Sequence, residues 1–257
     1  MLLRRITEHV KAQNWFAVAI DFLIVVVGVF IGIQVSNWNE ARANRLVGQG
    51  YTERLISELE IESATWSYYL KYYTATNDHA TKALEGFRQD PNALDDVFLI
   101  NLYQASQRWN AVMLRGTFDE LLSTGRIETV ADEATRVILS NHYGRQGTVL
   151  ITQNERADYR RVVRELMDQR VQDEIRIQCG DRYESDEKNF IYLELPERCE
   201  IDLPVDLITA EIARLHGNED IHRSLRFYKS LLDGKLGSLD VAIGSTQSTL
   251  TALKGAE

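Results

Sequence analysis

"AVAIDFLIVVVGVFIGIQVSNWNE", residues 17–40, contains a long apolar run with an aspartate inside it. Between Trp15 and Val35 the only ionisable side chain is Asp21. An α-helix rises about 1.5 Å per residue, so a segment of this length matches a hydrocarbon core of roughly 30 Å. The sequence therefore predicts one transmembrane helix. The rest of the 257-residue chain is long enough to form a domain with its own core.

The same run has a competing interpretation as a cleaved signal peptide, because 22–33 has the length of a signal-peptide apolar region. No cleavage site of the A-x-A type follows it, which favours an uncleaved signal anchor. We therefore expect a cytoplasmic segment over 1–14, a transmembrane helix over 15–37 and an extracytoplasmic helical domain over 38–257.

One face of the predicted span carries the acid and two glycines. At 100° per residue from Asp21, Gly28 and Gly32 fall at about −20° and +20°, and Val25 and Val35 at about +40° and −40°. A G-x-x-x-G pair lets a second helix approach closely, and a lipid-facing carboxylate costs roughly 2.5–3.5 kcal/mol. This face is therefore expected to contact another transmembrane helix, either from a second copy or from a larger membrane complex. The expected interface comprises Asp21, Val25, Gly28, Gly32, Gln34 and Val35.

Three interpretations of Asp21 remain open. Its carboxylate reaches water or headgroups near Lys11, or it makes a structural contact across the helix interface, or it carries a proton or ion. The last resembles, in layout only, the proton-coupled partner subunits of bacterial rotary and energy-transducing motors.

Basic residues do not decide the orientation, because three precede the span and three follow it: Arg4, Arg5 and Lys11, against Arg42, Arg45 and Arg54. The short leading segment favours a cytoplasmic N-terminus, since a long trailing domain is exported largely regardless of its charge. The only cysteines, Cys179 and Cys199, favour the same orientation if they form a disulfide in an oxidising compartment. Two unrelated buried thiols in a cytosolic domain are the alternative. The expected location is a bacterial inner membrane with a periplasmic C-terminal domain.

Composition and periodicity favour an all-α fold. The chain contains 3 prolines, so long helices are permitted, and its formal net charge of −9 argues against a nucleic-acid partner. Helical spacing of apolar residues continues after the span over 41–88, so the membrane helix is expected to extend as one rod, bent near Gly48 and Gly50. An up-and-down helical bundle is predicted, with at most a minor strand pair near the cysteines.

Shorter signals place the later elements. A helix is expected over 95–108, and another at "TFDELLSTG", capped by Thr117 with Glu120 completing a capping box and stopped by Gly125. A helix from Asp132 is expected to be interrupted near its glycines and to resume as one helix through "RADYRRVVRELMDQRVQDEIRI". "NFIYLEL" alternates like a short strand, and Asn218 is expected to cap the last long helix.

Three stretches carry a family resemblance. "IDFLIVVVGVFIGIQVSNWNE" resembles the opening of an uncharacterised bacterial family of single-pass membrane proteins, a domain of unknown function. Its members pair an acidic residue in the span with a Q-x-x-N-W-N box at the exit, which corresponds here to Asp21, Gln34, Asn37, Trp38 and Asn39. "YQASQRW" and "TFDELLSTGRI" are similar to its later boxes. The resemblance implies membrane attachment in a bacterium and implies no activity.

The boxes also have a physical interpretation. Trp38 is placed to anchor at the headgroup level, with Asn37 and Asn39 as hydrogen-bonding neighbours. In "YQASQRW" a buried polar seam against "TFDELLSTG" is expected, with Arg108 or Arg115 pairing with Asp119 or Glu120. This seam either specifies the fold or lines a binding groove.

No catalytic or nucleotide-binding motif is present, and the five histidines lack metal-ligand spacing. We therefore expect a non-enzyme with no cofactor and no metal. The leading hypothesis is a membrane-anchored interaction protein, an accessory, scaffold or sensor subunit of an inner-membrane assembly. The alternative is an ion-coupled component of a transport or motor complex that uses Asp21.

Overall fold

The first helix carries the chain from the apolar segment into the bundle. The computed structural model describes residues 15–130, 132–187, 190–196 and 199–255; the predicted cytoplasmic segment over 1–14 lies outside these ranges. Helix α1 spans Trp15–Gly86, and its 72 residues correspond to about 108 Å of length. The predicted single rod is confirmed, and the helix is continuous through the glycines at which a bend was expected.

Gly48 has a packing role instead of a bending role. A Cβ atom added there would lie 1.9 Å from the backbone oxygen of Thr129, whereas one added at Gly50 would meet nothing within 4 Å. A glycine within a helix lowers helix stability by about 1 kcal/mol relative to alanine. Packing of α1 against the neighbouring turn offsets this loss. Gly48 is therefore needed for the close approach of α1 to the segment before α4.

The remaining elements are mainly helical, as predicted. The helices after α1 are α2 (Asp96–Gln104), α3 (Gly116–Ser123), α4 (Glu133–Asn154), α5 (Tyr159–Leu166), α6 (Gln169–Cys179), α7 (Val205–His216) and α8 (Glu219–Lys254). Short 3-10 turns occur at Pro91–Ala93 and Ile127–Thr129. Strands β1 (Arg182–Ser185) and β2 (Ile191–Glu194) form an antiparallel pair in which Arg182 lies opposite Glu194. The all-α prediction with a minor strand pair near the cysteines is confirmed.

The predicted helix boundaries are partly correct. The helix expected over 95–108 ends at Gln104. The Asn218 side chain accepts from the backbone N–H of Asp220 at the start of α8, as expected of a cap. Gly125 follows α3 with φ of +66°, the left-handed conformation that ends many helices. Thr117 is not the N-cap of α3, because the helix begins one residue earlier and the Thr117 hydroxyl donates to Glu58 of α1 at 2.8 Å.

Helix α4 differs from its prediction in continuity. It runs through Gly144 and Gly147 without interruption, and the following basic segment forms two helices rather than one. The Asp168 side chain caps the second of these by accepting from the Arg170 N–H at 2.8 Å. Two apolar residues of α4, Val137 and Ile138, are exposed. The buried side of the helix contains Thr135, Leu139, His142, Tyr143, Gln146, Val149 and Gln153.

Contacts along α1 show that the bundle is up-and-down. Segment 96–130 descends beside α1, since the Tyr69 hydroxyl donates to the backbone oxygen of Asn110 and, nearer the span, Thr52 donates to that of Val130. Helix α8 also runs antiparallel to α1. Its last residues lie near the span end, where Lys254 pairs with Glu60 at 2.8 Å.

Two hydrophobic clusters fill the bundle. The near cluster lies closer to the apolar segment and includes Tyr51, Leu55, Leu59, Phe118 and Leu139. The far cluster is larger and includes the aromatic residues Trp66, Tyr69 and Tyr73. On α1 the two clusters adjoin between Leu59 and Trp66, and the residue at that position of the buried stripe is Glu62.

Candidate functional site

The apolar part of α1 stands apart from the bundle. Within the described ranges it is the one helix long and apolar enough to cross a membrane, and its apolar window is entirely unburied. Large apolar side chains there are exposed, for example Phe22 at 70% and Phe30 at 61%. The structure therefore contains one candidate membrane span, and the same helix continues from it into the folded domain.

The predicted interface residues fall on α1, and most share one face. Val25 and Val35 are exposed, and a Cβ atom added at Gly28 or Gly32 would meet nothing within 4 Å. Gln34 follows Asp21 by 13 positions, roughly 140° around the helix, so it belongs to a different face. The side chain of Asp21 lies outside what the structure describes. We call Asp21, Val25, Gly28, Gly32 and Val35 the span face.

The exit box follows on the same helix. Asn37, Trp38 and Asn39 are exposed, with Trp38 at 64%. The box therefore presents accessible polar and aromatic side chains just beyond the candidate span.

Helix α3 contacts α1 just beyond the close approach of Gly48 to Thr129. Glu120 accepts from the Tyr51 hydroxyl at 2.8 Å and pairs with Arg54 at 2.6 Å, rather than completing a capping box. Arg115, immediately before α3, forms the predicted pair with Asp119, but at the surface rather than in a buried seam. "TFDELLSTG" is thus a docking segment for the part of α1 that emerges from the span.

A buried polar layer separates the two hydrophobic clusters, and the sequence did not reveal it. Glu62 of α1 is 4% exposed and receives hydrogen bonds from its own helix and from α8: Trp66 Nε1 donates at 2.8 Å and Thr246 Oγ1 at 3.0 Å. The other carboxylate oxygen faces α4, where Gln146 Nε2 donates to it and His142 Nε2 lies 3.3 Å away. We call Glu62, Trp66, His142, Gln146 and Thr246 the polar layer.

The polar layer holds its acid ionised. Burial by itself raises the pKa of Glu62, but His142 and the hydrogen bonds from Trp66 and Gln146 outweigh burial and bring this pKa below its usual value. His142 Nδ1 lies 3.0 Å from the Ser245 hydroxyl, which fixes the ring on its other side. The layer therefore joins α1, α4 and α8 through one closed set of contacts.

The "YQASQRW" seam is buried and polar, but its partner is not the predicted one. Gln104 donates to the backbone oxygen of Cys179 in α6, and Gln107 Oε1 accepts from Arg160 and Arg164 of α5. The seam therefore faces α5 and α6 instead of α3. The sequence could not indicate this, because α5 follows "YQASQRW" by some fifty residues.

The cysteines are paired. Cys179 at the end of α6 and Cys199 after the strand pair have Cα atoms 5.3 Å apart, within the usual range for a disulfide. The pair closes the loop that contains β1 and β2. In the part of the chain that the structure describes, no three His, Cys, Asp or Glu side chains converge to hold a metal ion.

Comparisons with protein-family models, with curated proteins and with solved structures found no match in any of the three. Functional interpretation therefore rests on the geometry of the described residues.

Proposed function

We propose that the protein is a membrane-anchored interaction subunit of a bacterial inner-membrane assembly. Its span face packs against another transmembrane helix, and its helical bundle lies in the periplasm as a scaffold or sensor. The observation that carries this proposal is the continuity of α1, which joins the candidate span to the bundle in one helix of 72 residues.

A continuous helix couples its two ends mechanically. Near the span, α1 is clamped by α3 through Glu120 and by the close approach at Gly48, and farther along the polar layer fixes it to α4 and α8. A rotation or tilt of α1 in the membrane therefore moves the bundle with it. This rigidity suits a subunit that transmits or maintains the position of a partner.

The span face supplies the reason to expect a partner helix. A glycine pair with open space around it permits close backbone approach, and Asp21 on the same face is costly against lipid alone. A neighbouring helix removes both the exposure of the acid and the gap at the glycines. A second copy of the chain and another subunit both satisfy this requirement.

The membrane interface is tested by substitution on and off the span face. Gly28→Leu and Gly32→Leu are expected to reduce the size of the complex extracted from native membranes in mild detergent, because the added side chain prevents close approach. Phe30→Leu is the matched control, since Phe30 lies opposite Asp21 on the helix. An unchanged complex size in both glycine variants would rule out this interface.

Substitutions of Asp21 distinguish the ion-coupled alternative from the proposed interaction subunit. If the carboxylate only hydrogen-bonds to a partner, Asp21→Asn keeps assembly while Asp21→Ala weakens it. If Asp21 carries protons, both variants lose ion coupling even where assembly is preserved. Complex size and proton uptake by native membrane vesicles distinguish these outcomes.

The periplasmic location is tested through the cysteine pair. In intact cells, Cys179 and Cys199 are expected to react with a thiol reagent only after reduction, because an oxidising compartment keeps them paired. Labelling of denatured protein without reductant would contradict the proposed orientation.

A further inference from the structure

Five arginines line one cavity in the far half of the bundle. Arg161 pairs with Glu165 at 2.8 Å, whereas the other four make no ion pair with a residue that the structure describes. The cavity has a volume of about 690 Å³ and is lined by residues of α5, of α8 and of the segment after α2. Such a volume is typical of sites for small molecules. We call this site the arginine cavity and define it by Arg108, Arg156, Arg160 and Arg164. Their clustering is unusual in a chain whose formal net charge is −9.

Arg160 and Arg164 lie on one face of α5 and share a single neutral acceptor. Arg160 Nη1 and Arg164 Nη2 each donate to Gln107 Oε1 at 3.2 Å. Their other acceptors belong to Ser106: its backbone oxygen for Arg160, at 2.7 Å, and its hydroxyl for Arg164, at 3.0 Å. Two like charges at this helix spacing repel each other, and neutral oxygens do not neutralise them.

Burial adds to the cost of this arrangement. The Arg164 guanidinium lies 3.5 Å from the centre of the Tyr103 ring, and burial, together with Arg160, lowers the pKa of Arg164 to about 10. The Asp181 carboxylate interacts with both arginines through charge, but it accepts its hydrogen bond from the Tyr72 hydroxyl, at 3.1 Å. Burial raises the pKa of Asp181, so it is a weak counter-ion for the pair.

Arg108 and Arg156 complete the cavity from another side. Neither makes a hydrogen bond or an ion pair with any residue that the structure describes. Lys235 lies behind them with its ammonium group donating to the backbone oxygen of Thr152 at 3.0 Å. Glu155 and Asp158 are also close, so carboxylates are present but fewer than the cations.

A neighbouring cavity of about 590 Å³ provides an internal comparison. Its arginines are paired with acids of the same protein: Arg161 with Glu165 at 2.8 Å, and Arg223 with Asp220 at 2.7 Å. Arg161 lines both cavities, so α5 carries one arginine paired with an acid beside two, Arg160 and Arg164, that make no ion pair with a described residue.

We propose that the arginine cavity binds a small anion that carries two or more phosphate or carboxylate groups. Guanidinium groups donate in a planar fork that matches both oxyanions, and the donors not used by Ser106 and Gln107 remain for the ligand. Phe227, 60% exposed at the rim, offers an apolar surface to the rest of such a molecule.

The position of the cavity favours a soluble ligand over a headgroup of the same membrane. The Tyr73 hydroxyl donates to the backbone oxygen of Trp109 at 2.7 Å, so Arg108 lies at the level of Tyr73. Tyr73 follows Asn37 by 36 residues (73 − 37), about 54 Å of helix beyond the exit box. A phosphate of the anchoring bilayer lies far below this level.

Calorimetric titration of the full chain in non-ionic detergent tests the proposal with inorganic pyrophosphate and citrate as probes. At least one probe is expected to bind saturably at constant ionic strength. Arg108→Gln and Arg156→Gln are each expected to weaken that binding about tenfold or more, since each removes a charge-assisted contact. Both variants should keep the wild-type melting temperature, because neither residue bonds to the described protein.

Arg223→Gln is the matched control, because it removes an arginine of the neighbouring cavity and is expected to change binding less than about twofold. Sedimentation with vesicles containing anionic phospholipid distinguishes the sources of the oxyanion. The proposal is overturned if neither probe binds saturably, if Arg223→Gln weakens binding as much as Arg156→Gln, or if only vesicles bind.

Discussion

The polar layer and the arginine cavity both concentrate polar and charged groups, but they neutralise charge in different ways. In the polar layer one carboxylate, Glu62, meets donors from three helices. In the arginine cavity two guanidinium groups meet only neutral oxygens of Ser106 and Gln107, and two more meet no described partner. The first arrangement pairs its charge with donors of the fold, whereas in the second the cations outnumber the nearby carboxylates.

This difference assigns different roles to the two regions. A buried charge whose partners all belong to the same chain holds helices together, and removal of any one partner lowers the stability of the fold. Clustered cations that outnumber the nearby acids lower the stability of the fold, and binding of an external anion removes this cost. The polar layer is therefore structural, and the arginine cavity is a site for something else to bind.

Removing the acid of the polar layer should have the largest effect. Glu62→Ala is expected to lower the free energy of unfolding by about 3–5 kcal/mol, because His142, Gln146 and Trp66 keep buried polar groups without their acceptor. Urea denaturation of the full chain in detergent, followed by circular dichroism, measures this.

Glu60→Ala is the control for that experiment. Glu60 lies two positions away and pairs with Lys254 at the surface, so its loss is expected to cost less than about 1 kcal/mol. Equal effects of the two variants would show that the polar layer does not hold the bundle together.

Supplying an acid to the arginine cavity should make it resemble the polar layer. Gln107→Glu replaces the shared amide oxygen with a carboxylate, which is expected to stabilise the chain by about 1 kcal/mol through charge-assisted bonds to Arg160 and Arg164. The same variant should lose affinity for pyrophosphate, because the counter-ion is then internal. Thermal melting and titration of one preparation measure both changes.

Gln104→Glu is the matched control on the same helix. The Gln104 amide donates to the Cys179 backbone oxygen, so a carboxylate there faces an acceptor and is expected to destabilise by about 1–3 kcal/mol. If Gln107→Glu destabilises to the same extent, the arginines do not lack a counter-ion and the comparison fails.

Much of the fold followed from sequence patterns, and the polar layer shows where they stopped being informative. The apolar run, the helical spacing along α1 and the Asn218 cap are local signals, and each led to the observed element. Glu62 lies at core spacing between Leu59 and Trp66, a signal that could have marked it as buried. Its partners on α4 and α8 could not be inferred, because they depend on long-range packing.

The arginine cavity was hidden for a similar reason. "RADYRRVVRELMDQRVQDEIRI" has the charge density of a solvated outer face, and several of its arginines are indeed exposed. What distinguishes Arg160 and Arg164 from Arg161 is the residue that each one meets across the bundle. Sequence spacing indicates the helix face of a residue but not the element that the face contacts.

The polar layer should also contribute to acid sensitivity. The Glu62 pKa in the folded chain is below its unfolded value near 4.5, so the stabilisation is present above that pH and is lost as the pH falls through the folded pKa. Between pH 5 and pH 3 the free energy of unfolding should therefore fall more steeply in the wild type than in Glu62→Gln. Parallel curves would show that the pKa of Glu62 is the same in the folded and the unfolded chain.

The smallest expected change in the free energy of unfolding is for a substitution at the arginine cavity. Without ligand, Arg156→Gln should change the free energy of unfolding by less than about 0.5 kcal/mol, since the side chain meets no described partner. Arg214→Gln is the contrasting variant. It removes the partner of the buried Glu211 carboxylate and should cost about 1–2 kcal/mol. If Arg156→Gln lowers the free energy of unfolding as much as Arg214→Gln does, Arg156 stabilises the fold and is not available to bind a ligand.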